Sequence, residues 1–339
     1  MPCVPTTRWR PCKRRAKGFS NAVEGSVSPP GSSPLVHQFH RVHKVHKQVA
    51  MTTTPEKWDV LKVLNWTKGY LAEKGVENPR LEAEWMLCEA LSLDRVGLYL
   101  NFDKPLSDAE LTAYRGMVAR RGKREPLQYI LGTQEFMGLE FRVTPAVLIP
   151  RHDTEVLVTE AIARGGCAAS ILDIGTGSGC VAVALAKALP QCEVSSVDVS
   201  GEALEVARGN AEANGATVHF FQGSLFEPFA GRRFDMVVSN PPYIPNHEMA
   251  TLQPEVRGFE PAGALDGGAD GLDFYRSIVD AAPEHLNAGG WLIFEVGAGQ
   301  APQVLGLLKG AGFTEETFTQ TDPAGIERVV GGRLTGRTA

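Results

Sequence analysis

The sequence predicts an α/β fold: a doubly wound sheet with helices on both faces, preceded by a small helical bundle and closed by a C-terminal antiparallel ribbon. Apolar residues between about positions 56 and 122 recur at helical spacing. From Ile171 onward the pattern becomes strand–helix alternation, which builds a mostly parallel sheet. Between the two lies Glu135-Phe136-Met137-Gly138-Leu139-Glu140-Phe141-Arg142-Val143, strand-like sequence around a glycine turn that reads as a hairpin joining two domains.

In chain order, Trp58, Leu61, Leu64 and Leu71 fall on one helical face, and Gly75 ends that helix. Asn78-Pro79 opens a second helix, with Pro79 at the first helical position where its missing N–H costs nothing. Leu81, Trp85, Cys88 and Leu91 form its apolar stripe. Ser107-Asp108-Ala109-Glu110 reads as a capping box ahead of Leu111, Tyr114 and Val118, with Gly122 as the stop. In the second half, Ile171–Ile174 is a buried strand, followed by a glycine-rich turn and an alanine-rich helix to about Leu189. Val194–Val197, Val218–Phe221, Met236–Ser239 and Trp291–Glu295 supply further strands, with a helix over Ala203–Asn214. Phe313–Thr319 and Glu327–Val330 are close enough to pair as the closing ribbon. The chain thus divides into a basic tail (1–50), a helical domain (51–124), a hairpin linker (125–152) and the sheet domain (153–335).

Composition narrows the function classes. With 43% hydrophobic and 22% charged residues, the 339-residue chain has the make-up of a soluble globular protein. No run approaches the roughly 18 apolar residues that span a bilayer, and the basic N-terminus lacks a secretory apolar segment, so a cytoplasmic location is expected; a monomer is expected too, although no sequence feature sets the oligomeric state. The net charge of −5 divides into +8 over residues 1–50 and −13 over the rest. An acidic body argues against a large nucleic-acid footprint, which needs a basic stripe. The six cysteines (Cys3, Cys12, Cys88, Cys167, Cys180, Cys192) form no C-x-x-C pair, so reduced thiols are expected rather than a metal site or disulfides. Residues 1–50 hold Ser28-Pro29-Pro30-Gly31-Ser32-Ser33-Pro34 and the triplets His40-Arg41-Val42, His43-Lys44-Val45 and His46-Lys47-Gln48. Metal binding by these histidines is weighed against a disordered, non-functional tail, and the latter is adopted. The triplets are what a short tandem repeat in coding DNA produces, which makes Met51 the expected working start. Prolines and clustered histidines fit the competing reading, a transit peptide, poorly.

Three motifs carry chemistry. Asp173-Ile174-Gly175-Thr176-Gly177-Ser178-Gly179 lies at a strand end and opens a helix, so its glycines let backbone approach a ligand. Its spacing differs from the G-x-G-x-x-G dinucleotide fingerprint. Asp173 would repel a pyrophosphate but suits a cationic sulfonium, which favours S-adenosylmethionine over NAD. Asp198, 25 residues on at the next strand end, can accept hydrogen bonds from both ribose hydroxyls; the bland alternative is a helix cap or turn residue. Asn240-Pro241-Pro242-Tyr243 directly follows the strand Met236–Ser239. Two prolines stiffen the loop, so the Asn240 side chain and the Pro241 carbonyl can hold the protons of a planar NH₂ group while Tyr243 packs on its face. An amide nitrogen is a poor nucleophile, and holding its protons aims its lone pair at a methyl donor. An Asn-Pro turn alone would explain the prolines but not the acid–glycine loop and Asp198. By itself this motif does not choose between an adenine amine in nucleic acid and a glutamine amide in protein, and a non-catalytic nucleotide-binding module is a further alternative.

The connecting segment makes the choice. Glu125-Pro126-Leu127-Gln128-Tyr129-Ile130-Leu131-Gly132, then Glu135-Phe136 with Gly138-Leu139, then Leu148-Ile149-Pro150-Arg151 with Asp153-Thr154-Glu155, resembles the HemK/PrmC family of release-factor glutamine methyltransferases. Val256-Arg257, Phe259-Glu260-Pro261 and Glu327-Arg328-Val329 also match, and the resemblance runs from about Glu56 to Arg333. It implies a helical domain that helps bind class 1 release factors and a Rossmann-like methyltransferase domain. It also implies in-line methyl transfer from S-adenosylmethionine to the glutamine of a Gly-Gly-Gln motif, with no metal. Carried over, the cofactor residues are Asp173, Gly175, Thr176, Gly177, Ser178, Gly179, Asp198, Leu225 and Asn240; Asn240, Pro241, Pro242 and Tyr243 clamp the substrate, with Asn240, Pro241 and Tyr243 catalytic. Two positions depart from the family pattern: Ser224 stands where an acid is usual, and His152 where a proline is usual, with a linker-packing role expected of His152.

Overall fold

The computed structural model describes residues 57–335. The basic tail, its histidine triplets, Cys3, Cys12 and Met51 lie outside the described residues. The helical domain comprises α1 (Val60–Glu73), α2 (Pro79–Leu91), α3 (Arg95–Leu100) and α4 (Asp108–Arg121). The capping box forms: Ser107 N donates to Glu110 Oε2 at 2.8 Å and Glu110 N to Ser107 Oγ at 3.3 Å. Donation to the carboxylate by Ser107 N, then by Lys104 and the Ser107 hydroxyl, pulls Glu110 down to about 2.

The buried faces of the first two helices differ from the expected ones. Leu61 and Leu81 are 45% and 40% exposed, whereas Val60, Val63, Leu64, Thr67 and Leu71 of α1 and Ala83, Met86, Leu87 and Cys88 of α2 are buried. The α2 helix touches α1, α3 and α4, so it has no single apolar stripe. It also buries Glu84, which takes Arg80 Nε at 3.0 Å, Arg95 Nη2 at 2.7 Å and the Tyr99 hydroxyl at 2.8 Å. A carboxylate so neutralised can sit inside, and a reading by residue polarity puts it outside.

The linker folds as a short helix, α5 (Leu127–Leu131), then the expected hairpin of β1 (Thr133–Phe136) and β2 (Leu139–Arg142). Met137 and Gly138 turn it at φ 52° and 71°, a conformation that glycine tolerates. Phe136 and Phe141 meet edge to face at 6.0 Å beneath it, both fully buried.

The sheet domain begins with α6 (Thr154–Arg164) and β3 (Ser170–Ile174), and continues through α7 (Cys180–Ala188), β4 (Glu193–Asp198), α8 (Gly201–Ala213), β5 (His219–Gln222) and β6 (Phe234–Ser239). Then follow α9 (Pro254–Phe259), α10 (Asp273–His285), β7 (Leu286–Glu295), α11 (Ala301–Gly310), β8 (Glu315–Thr321) and β9 (Glu327–Arg333). The strand order is β5-β4-β3-β6-β7-β9-β8. The strands β3 to β7 are parallel, and β9 pairs antiparallel with both β7 and β8, so the predicted ribbon joins the main sheet. The β7 strand starts at Leu286, ahead of the expected Trp291. Separate apolar clusters cover the two faces, one around Leu172, Phe234 and Phe294, the other around Ile171, Val183 and Met236. That alternation along β3 and β6 is the signature of a sheet buried on both sides.

Ion pairs tie the helical domain to α9. Arg121, 5% exposed at the end of α4, pairs with Glu82 of α2 and, at 2.9 Å, with Glu255 of α9; Arg124 reaches the other Glu255 oxygen at 2.7 Å. Removing Arg121 strands the partly buried Glu82 and leaves Glu255 with Arg124 alone. Arg121→Ala is expected to cost about 3 kcal/mol in denaturant unfolding, the lower end for breaking a buried ion pair. Arg276→Ala, which loses an exposed pair with Asp270, is expected to leave the unfolding midpoint nearly unchanged.

Candidate functional site at the carboxyl edge of the sheet

The chain winds from β3 through β4 to β5 on one side, then returns to place β6 on the other side of β3. Loops leaving β3 and β6 therefore diverge, and the crevice between them is where ligands bind in open α/β sheets. Three predicted motifs meet there. Asp173 and the glycine loop leave β3, Asp198 ends β4, and Asn240–Tyr243 leaves β6. Ser239 Oγ donates to the Ile174 carbonyl at 2.7 Å, and a Cβ on Gly175 would lie 3.9 Å from the Asn240 carbonyl, so loop and clamp are neighbours.

The glycine loop is shaped by backbone demands. Gly175, Gly177 and Gly179 all have positive φ (81°, 53° and 82°). A Cβ on Gly179 would come within 3.0 Å of Ala207 Cβ, whereas one on Gly177 would meet nothing within 4 Å. Gly179 is thus required for packing against α8, and Gly177 for the turn itself. Asp198 holds the loop shut: Oδ2 accepts from Gly177 N at 2.8 Å and Oδ1 from Ser200 N at 2.9 Å. The turn role weighed for Asp198 is therefore real, and each oxygen keeps lone-pair capacity for a further donor. The side chains of Thr176 and Ser178 are buried, Thr176 against Ser196 and the Val197 carbonyl, so these residues offer a ligand backbone only.

Asp173 is 1% exposed and accepts from Ser196 Oγ at 3.0 Å. Burial, then the charge of Asp198, pushes its carboxyl up to about 7. Leu225, in the loop after β5, has φ 50°, a strained value for leucine. The neighbouring Ser224 N donates to Glu227 Oε2 at 3.0 Å, so a carboxylate lies beside this loop although position 224 lacks one.

In the clamp, Asn240 Nδ2 donates to Thr154 Oγ1 at 3.2 Å, which leaves Oδ1 as a free acceptor. Tyr243 is half-buried, its hydroxyl pushed up chiefly by burial and further by Glu295. Its carbonyl accepts from Gln300 Nε2 at 2.9 Å. Gly267 and Gly297 crowd it: a Cβ on the first would lie 2.7 Å from Tyr243 Cα, and on the second 3.1 Å from Cδ2. Only glycine allows that approach. Sequence reasoning missed these two glycines, although the run Gly267-Gly268 with Gly271 marks a tight segment.

Thr154 and Glu295 were also missed as site residues. Thr154 is buried at the start of α6, and Glu295, buried at the end of β7, is pushed up to about 7 by burial. His152 is not packed as expected: its side chain is 77% exposed, 3.6 Å from Glu155. The remaining motif residues brace the site. Arg151 pairs with Glu260, and Arg328 joins Asp153 at 2.9 Å and Asp322 at 3.0 Å. Among the described residues no cluster of three or more His, Cys, Asp or Glu is placed to hold a metal, and no helix is long and apolar enough to cross a membrane.

Residues 62–132 match the family model for the PrmC N-terminal domain, and residues 152–255 that for the methyltransferase small domain. The release factor glutamine methyltransferase of Geobacter sulfurreducens is 65% identical over 284 residues, covering 84% of this chain and 100% of that one. That of Chlorobaculum tepidum is 43% identical over 276 residues (78% and 93%), and that of Gloeobacter violaceus 43% over 275 (78% and 94%). Identity of this order across the full length of a relative leaves one assignment: the chain belongs to the family of release factor glutamine methyltransferases.

Proposed function

We propose that this chain transfers a methyl group from S-adenosylmethionine to the side-chain amide nitrogen of the glutamine in the Gly-Gly-Gln motif of class 1 release factors. The observation that carries the reading is the direction of the Asn240 amide. Its nitrogen is committed to Thr154, so its oxygen faces substrate as a proton acceptor beside the glycine loop. The residues present also fit the cofactor: open backbone at Gly175 and Gly177, spare acceptor capacity on Asp198, and a buried Asp173 whose negative charge a cation would stabilise. When bound, S-adenosylmethionine supplies an electrophilic methyl group.

The chain's own residues do the rest. Asp198, Leu225 and the loop Gly175–Gly179 hold the adenosine and methionine parts, with Asp173 set against the positive charge. Asn240 Oδ1 and the Pro241 carbonyl take the two amide protons of the glutamine, which turns its nitrogen lone pair toward the methyl group. Pro242 stiffens the loop, and Tyr243 packs on the planar amide. Fixing such an attack geometry supplies up to about 7–11 kcal/mol of barrier reduction. We further infer that residues 51–124 grip the body of the release factor. The Arg121–Glu255 contact supports this, because it couples that domain to the segment following the clamp. A small clamp alone has too little surface to select one glutamine among many.

Asn240→Ala is expected to lower methylation of release factor by about 10²–10³, the scale for one preorganised polar group, with cofactor affinity nearly intact by calorimetry. Activity within a few-fold of the parent overturns the clamp. Asp198→Ala is expected to weaken cofactor binding by about 1.5–3 kcal/mol, the worth of charge-assisted bonds. Unchanged affinity on titration removes Asp198 from the ribose. The raised Asp173 gives a pH signature. Above about 7 its carboxyl is already ionised; below that it carries a proton that a cationic ligand must expel. Affinity for S-adenosylmethionine should therefore fall about tenfold between pH 8 and 6, roughly fivefold of it below pH 7, and level off above about pH 8. Asp173→Asn should flatten the profile, and S-adenosylhomocysteine, with neutral sulfur, should show a shallower one. A flat profile for the parent would falsify the placement of Asp173 against the cofactor's charge.

A further inference from the structure

Glu295 has no part in the reaction described above, yet its placement is costly. Its side chain is 2% exposed and Oε2 has no hydrogen-bond partner, while its backbone carbonyl takes the Tyr275 hydroxyl at 2.9 Å. A strand end in a core needs no acid, and a buried carboxylate with one oxygen unpartnered calls for a reason other than stability. Its carboxyl sits beside the hydroxyl of Thr154, the residue whose Oγ1 holds Asn240 Nδ2 at 3.2 Å, because α6 packs on β7 and β7 lies next to β6. Asn240, Thr154 and Glu295 thus form a chain leading from the clamp into the core.

Proton counting gives that chain a direction. A hydroxyl has one proton. An ionised carboxylate only accepts, so Thr154 must donate to Glu295 and can offer Asn240 nothing but a lone pair. Asn240 is then obliged to turn its NH₂ to Thr154 and its oxygen to the substrate. A protonated Glu295 can donate to Thr154 instead. That frees the Thr154 proton for Asn240 Oδ1, and the amide can turn over to present NH₂ groups to the NH₂ of the substrate. We propose that Glu295 is a positioning residue that acts through Thr154 to keep the Asn240 amide oxygen facing the glutamine, an inference that rests on the function proposed above.

The surroundings decide when Glu295 is ionised. Asp153 at the start of α6, Tyr243 of the clamp, Tyr275 of α10 and Cys180 of α7 face it and gain nothing from a further negative charge. Arg328 of β9 and Arg151 of the linker favour its ionised form. Burial outweighs the two arginines, so the group titrates at about 7. As pH falls through that value Glu295 gains a proton, the amide loses its direction, and turnover at saturating cofactor falls.

The test uses the full chain, intact release factor and methyl-labelled S-adenosylmethionine, with kcat followed from about pH 6 to pH 9. The parent should show an acid limb near pH 7. Glu295→Gln, whose amide can face Thr154 either way, should lower kcat at pH 8 about tenfold, the factor for one oriented hydrogen bond. It should also lose the acid limb while cofactor Kd stays within about twofold. Thr154→Val should do the same, and Thr154→Ser, which restores the hydroxyl, should recover most of the rate and the limb. The Thr154 pair decides the matter if Glu295→Gln does not fold. Variants that keep the parent's acid limb, whether at full rate or uniformly slowed, overturn the positioning role while the methylation of release factor by the parent stands. A parent that leaves release factor unlabelled overturns the function and this inference together.

Discussion

Parallel pairing of β3 with both β4 and β6 is the constraint on which the site depends. It brings Ile174, Val197 and Ser239 into register across three adjacent strands. Every segment that follows those residues emerges at the same edge of the sheet, those from β4 and β6 on either side of the one from β3. The pairing also buries β3 on both faces, so Asp173 leaves water while still next to the loop that turns back to the surface. A burial cost imposed by the sheet thereby becomes a property of the site: a carboxyl that titrates near neutral pH and that a nearby cation would hold ionised.

The same physics acts twice across the crevice. Asp173 on β3 and Glu295 on β7 flank β6, the strand that delivers the clamp. Each is pushed up to about 7 chiefly by burial, and each reaches its surroundings through a hydroxyl, Ser196 in one case and Thr154 in the other. One faces the loop that would hold the cofactor, the other the side chain that would hold the substrate. Both halves of the site are thus sensitive to charge in the range where proteins work.

Rigidity comes from ion pairs between segments far apart in the chain. Arg151 to Glu260 fastens the linker to the segment after α9, and Asp153 to Arg328 fastens the start of α6 to β9. Thr154 directly follows these ties at Arg151 and Asp153, which fixes the residue that orients Asn240. Arg121 and Arg124 extend the brace to the helical domain through Glu255. A loop proposed to aim a substrate lone pair tolerates little play, and these contacts restrict it.

Local sequence determined much of this protein. The capping box at Ser107, the hairpin at Met137-Gly138, the strand cores from Ile171 to Val238 and the two loops proposed to carry the chemistry are set by residues a few positions apart. Spacing and turn preference are properties of short segments. The buried faces of α1 and α2 were not legible that way, because Leu81 looks like core and Glu84 like surface until Arg80, Arg95 and Tyr99 close around the carboxylate. Nor were the loop partner of Asp198 and the parts played by Thr154 and Glu295. Asp198 pins Gly177 across 21 residues, Asn240 finds Thr154 across 86, and Glu295 comes beside Thr154 only because α6 packs on β7. Hydrogen bonds and desolvation act through space. The sequence alone determined which groups were available, and the tertiary structure decided which of them lost water and which partner each one met.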